Sequence, residues 1–60
     1  MSPTFEIEGP DQDGDWWVIR NEMLSDVMHH TALSGVYPSE ETAQTAADRF
    51  NANPASAPRV

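Results

Sequence analysis

One segment of this chain leaves little freedom in how it folds. Ser39 stands where its side-chain oxygen can accept from an orphan amide at a helix start, and Glu40 and Glu41 follow where the helix dipole favours negative charge. Ala43, Ala46, Ala47 and Phe50 then fall at i, i+3, i+4 and i+7, a single apolar stripe. The pattern predicts a helix over residues 40–51, ended by Asn51-Ala52-Asn53-Pro54. A stripe made mostly of alanine approaches its support closely and brings little bulk of its own. The rest of the chain must therefore supply a flat surface bearing large side chains.

Such a surface is legible upstream. Thr4-Phe5-Glu6-Ile7-Glu8 alternates, with Phe5 and Ile7 on one face and both glutamates on the other. Gly9-Pro10-Asp11-Gln12-Asp13-Gly14 is a run of turn formers, with Asp13-Gly14 suited to positive φ. Asp15-Trp16-Trp17-Val18-Ile19-Arg20-Asn21 is rich in aromatic and β-branched residues and reads as the central strand. Residues 22–36 admit two readings. Leu24, Val27 and Met28 fit a helical spacing, whereas Val27 to Thr31 fit a third strand after a turn at Glu22-Met23-Leu24-Ser25. Topology favours the strand, because three antiparallel strands with an apolar face come closer to independent stability than one hairpin.

The expected fold is α+β: a small antiparallel sheet of two to three strands (about 4–8, 15–21 and 27–31) with one C-terminal helix on one face. One domain would span residues 1–53, followed by a flexible tail at 54–60 that lacks periodicity and apolar mass. The chain of 60 residues has no cysteine, and a domain of this size buries only roughly 60% of its unfolded surface, so the core is thin. Candidates for it run from Phe5, Ile7 and Trp16 to Ile19, through Met23, Leu24, Val27, Met28, Leu33, Val36 and Tyr37, to the helix stripe.

Met1-Ser2-Pro3-Thr4 carries no basic stretch leading into an apolar run, and no window approaches the 18 or so apolar residues of a membrane span, so a cytoplasmic protein is expected. Ten acidic against three basic residues give a formal charge of −7, which repels nucleic-acid phosphates and suits a basic protein surface. Acidic charge also serves solubility alone.

Catalytic and metal-binding patterns are weak throughout. Asp11, Asp13 and Asp15 alternate, with Glu22 eleven residues after Asp11, but a calcium loop needs glycine where Trp16 stands and a helix where Trp17 to Arg20 read as strand. His29 and His30 are neighbours on a strand and point to opposite faces, so they do not converge on one ion. Ser25, Ser34 and Ser39 lack the flanking motifs of a nucleophile, and Glu6 and Glu8 lack an enclosing pocket to separate their pKa values. The expectation is a non-enzyme without cofactor or metal.

Trp16 and Trp17 are adjacent on a strand, so only one can join the core beneath the helix and the other is expected to be exposed. An exposed tryptophan amid acidic residues has the composition of an interaction hot spot.

Asp15-Trp16-Trp17-Val18-Ile19-Arg20, followed by Val36-Tyr37-Pro38-Ser39-Glu40-Glu41-Thr42-Ala43 and Ala46-Ala47, resembles a pattern of very short, mostly uncharacterised β-meander-plus-helix proteins of bacterial and phage genomes. The resemblance covers about residues 4–52 and implies a fold, with no catalytic residue to carry across. Together with size and charge it implies a setting among phage accessory proteins that bind host proteins, anti-CRISPR and anti-restriction proteins included.

The function expected is thus that of a small acidic binding protein. It would present Glu6, Glu8, Asp11, Asp13, Asp15 and Glu22, with Trp16, to a basic surface on a protein partner, and inhibit a nucleic-acid-handling protein by charge mimicry. It would bind neither nucleic acid directly nor a membrane. The alternative is a self-associating structural module that forms a homodimer through its sheet.

Overall fold

The computed structural model describes residues 2–58. Three strands, β1 (Thr4–Glu8), β2 (Trp17–Leu24) and β3 (Val27–Ala32), form an antiparallel sheet in the order β1-β2-β3, followed by α1 (Glu40–Ala52) and a 3-10 turn at Pro54–Ser56. The α+β architecture expected from the pattern is present.

The register fixes which side chains share a face. Phe5 pairs with Arg20 and Ile7 with Val18, while Glu6 pairs with Ile19 and Glu8 with Trp17. Because side chains alternate, Phe5, Ile7, Val18 and Leu33 look toward the helix, and Thr4, Glu6, Glu8, Trp17, Ile19, Asn21, Met23, Met28, His30 and Ala32 form the open face. The core lies between the first face and α1: Phe5, Val18, Leu33, Ala46, Ala47 and Phe50 are buried together, with Ile7, Tyr37 and Ala57 against them. The Phe5 and Phe50 rings meet edge to face, centroids 5.6 Å apart, an arrangement that suits their quadrupoles.

The helix starts as its sequence demands. Ser39 is extended at the N-cap, its side chain accepts from the Thr42 backbone N–H at 3.3 Å, and the Thr42 hydroxyl accepts from the Ser39 N–H at 3.3 Å. This is a capping box in which threonine does the work usual for Glu or Gln. At the other end Asn53 leaves helical geometry, donating to the Arg49 carbonyl at 2.9 Å, ahead of Pro54.

Three expectations are corrected by the structure. The β2–β3 turn is not at residues 22–25; β2 runs on to Leu24 and the chain reverses over Ser25 and Asp26, both at positive φ (51° and 65°) as a type I′ hairpin turn requires. A Ser-Asp pair lacks the glycine that usually announces such a turn, and the local sequence therefore hides it. Met23, Leu24, Val27, Met28 and Val36, counted as core, are all exposed: alternation turns Met23 and Met28 to the open face, Leu24 and Val27 stand at the hairpin tip beyond the reach of α1, which packs on β1 and β2, and Val36 lies in the segment after β3. Beyond Asn53 the described residues do not run free: Pro54–Ser56 turn back and Ala57 packs on the core, while Arg59 and Val60 of the expected tail lie outside the described residues. The result is a slab of 34 × 22 × 15 Å. Among the described residues no helix is long and apolar enough to cross a membrane.

Candidate functional site

The acidic end of the molecule is built on the β1–β2 loop. Gly9 opens it at φ +149°, and a Cβ there would stand 3.0 Å from the Asp15 carbonyl oxygen and 3.1 Å from two atoms of the Trp16 indole, so only glycine lets the strands close. Within the loop the Asp11 N–H donates to the Asp15 carbonyl at 2.9 Å and the Gly14 N–H to the Asp11 carbonyl at 3.0 Å. The Asp11 carboxylate organises the rest. Its Oδ1 accepts from the backbone N–H groups of Asp13 (2.9 Å) and Asp15 (3.0 Å), and its Oδ2 accepts from the Trp17 indole N–H at 3.0 Å. The indole bond first, then the backbone donors, hold the Asp11 carboxyl below the usual carboxylate range, against a smaller opposing effect of desolvation.

Asp11, Asp13 and Asp15 bring carboxylate oxygens within 4.8 Å of one another. That proximity follows from the loop: Asp11 is the acceptor that ties it, which leaves Asp13, exposed, and Asp15, half-buried, as the acids turned toward solvent. Glu6 and Glu8 continue this negative surface along the open face, both exposed, beside Ile19 and Trp17 respectively.

The two tryptophans do not divide as expected. Both are half-buried and neither belongs to the buried cluster. Trp16 makes a two-way backbone bridge with Tyr37 (2.8 and 2.9 Å) and its indole lies against Gly9. Trp17 points to the open face with its N–H held by Asp11. Alternation turns Trp17 away from the helix, and the cluster beneath the helix is made by Phe5, Val18, Leu33, Ala46, Ala47 and Phe50. Of the seven residues proposed for partner contact, the structure gathers Glu6, Glu8, Asp11, Asp13 and Asp15 at one end. It separates Glu22, which is paired with His29 and by alternation faces the helix side. It also places Trp16 on the side opposite Trp17. The aromatic residue that accompanies the acids is Trp17, and the signal for it was available: Glu8 and Trp17 share a face once the loop sets Ile7 opposite Val18.

Other surface features lack this concentration of charge. The depression between Tyr37 and α1, where Glu41 and Arg49 stand, is an open groove. His30 and Asn21 are hydrogen-bonded to each other across β2 and β3 on the open face.

Compared with protein-family models, with curated proteins and with solved structures, the chain matches none of them.

Proposed function

We propose that this chain is a non-enzymatic binding protein that meets a basic protein surface through the acidic end of its open sheet face. The observation that supports this reading is the alignment of Glu6 and Glu8 on a flat strand with Asp13 and Asp15 at the adjoining loop, Trp17 lying among them. Carboxylates held on a rigid, regularly spaced scaffold resemble a row of phosphates to a basic groove, and they raise the encounter rate with it. In its sharper form the reading is charge mimicry: the chain occupies the nucleic-acid site of a host protein, in the manner of anti-CRISPR or anti-restriction accessory proteins of phages and mobile elements. A cytoplasmic location belongs to that proposal.

The test is competition. A tagged copy is used to recover a partner at low salt, and the partner's nucleic-acid binding is then titrated with the untagged chain. The reading requires that the chain displaces the nucleic acid, that its affinity falls steeply as salt rises, and that Glu6→Gln with Glu8→Gln weakens it. A captured partner that holds the chain and its nucleic acid at the same time would refute mimicry.

A further inference from the structure

The sheet has two outer edges, and the described residues protect one of them. On β1, the Asn51 side chain of α1 accepts from the Phe5 N–H at 2.8 Å and donates to the Phe5 carbonyl at 2.9 Å, standing where a neighbouring strand would pair. On β3 no described residue does this. β3 bonds to β2 through Val27, His29 and Thr31, the alternation set by the Leu33 N–H donating to the Val18 carbonyl at 2.9 Å. The N–H and C=O groups of Met28, His30 and Ala32 therefore point outward, and all three residues are exposed.

Charge singles out what can approach this edge. No Asp, Glu, Lys or Arg occurs between Asp26 and Glu40, so β3 and the segment after it form a neutral flank on a chain of formal charge −7. A basic partner is drawn elsewhere, to the acids. A second copy of the chain, repelled at its other surfaces by like charge, meets neutral edge with neutral edge here.

We infer that two copies of this chain pair antiparallel through β3, about a two-fold axis at His30, into one continuous six-stranded sheet. An antiparallel edge is complementary to itself under such an axis. The strand's own limits select the register. Centring on His30 sets Met28 opposite Ala32 of the partner subunit and keeps every outward group inside the regular strand. Moving the axis to His29 brings the Ser25–Asp26 turn into the ladder, and moving it to Thr31 brings in Ser34, where the chain loops out through Gly35 (φ +99°) before Tyr37 rejoins Trp16. In the His30 register the long Met28 side chain, 43% exposed in the single chain, lies over the small Ala32 of the partner subunit. Val27, 56% exposed, is brought opposite Leu33 of the partner subunit at the margin of its core. Both copies then show helices on one side and open faces on the other, with the acidic loops at the two far ends. The pairing does not depend on the proposed partner binding.

The experiment measures mass by light scattering over roughly 1 μM to 1 mM and, on the same samples, amide exchange at Met28, His30 and Ala32. The expected result is a monomer that becomes a dimer as concentration rises, the three amides passing from solvent-like exchange to protection together with the change in mass. His30→Pro removes an outward N–H that has no acceptor among the described residues, leaves the ladder to β2 intact, and should abolish the dimer. A monomer throughout the range overturns the inference. So does a dimer in which these three amides stay unprotected, a result that holds whether or not the proline variant folds.

Discussion

The two edges of this sheet receive opposite treatment. β1 is roofed by α1, pinned by Asn51, and flanked on its open face by Glu6 and Glu8; β3 carries no Asp, Glu, Lys or Arg, and no described side chain caps its edge. The difference comes from the economy of a small fold. One helix of 13 residues reaches across two strands and no further, so the strand first in sequence is closed by the element last in sequence while the hairpin tip stands free. Exposed strand edges invite pairing, and most proteins blunt them. Here one edge is blunted by a single amide side chain, and the other is left unpaired by the described residues.

The closed side should be the costly one to damage. Phe50→Ala removes the ring that meets Phe5 and fills the centre of the helix–sheet core, and should destabilise by about 3–5 kcal/mol, a loss that denaturant titration would register as near-complete unfolding of so small a domain. Asn51→Ala strands the Phe5 N–H and C=O in a partly buried setting and should cost about 1–3 kcal/mol, with faster amide exchange at Phe5 as its signature. If Asn51→Ala proves neutral, the two edges are less different than their geometry implies.

On the open side Asp26→Gly relieves a non-glycine residue at φ 65° and should stabilise by about 1 kcal/mol, visible as a Tm higher by roughly 4–8 °C. At the loop joining β1 to β2, stability should depend on acid in a defined direction. The Asp11 carboxyl is lowered by the Trp17 indole N–H and by backbone donors, so its contribution is complete above the unfolded value of about 3.9 and is lost as pH falls through the lower folded value. Asp11→Asn should flatten that part of the pH profile and shift the Trp17 fluorescence. The smallest effect belongs to Leu24→Thr at the bare tip, within about 0.5 kcal/mol in thermal melts, since Leu24 is 48% exposed and outside the core.

What could be read from the sequence divides along the same line. The helix, its Ser39 cap and its Ala43–Phe50 stripe were legible almost to the residue because their signals are local, spaced by three and four positions. β1 was legible from strict alternation. The end of β2 was not, because Ser25 and Asp26 adopt a turn conformation that their residue types do not advertise, and the shift carried Met23 and Leu24 from an expected turn into the strand. The acidic loop was legible as a cluster, but the role of Asp11 as the loop's own acceptor depends on Trp17 folding back six residues later. The clamp of Asn51 on Phe5 spans 46 positions, and no local pattern marks an asparagine near a helix end as a stand-in for a strand.

That long reach has a consequence during synthesis. Loop closure on this scale is slow to be rewarded, and the clamp exists only after residue 51 has been made and has cleared the ribosome. Until then a nascent β1–β2–β3 meander carries two bare edges and an unroofed apolar face, and neighbouring nascent chains on one message can pair through either. The last turn of α1 ends that period once it has emerged, so a pause in translation that holds Asn51 inside the ribosome should raise the yield of insoluble chain.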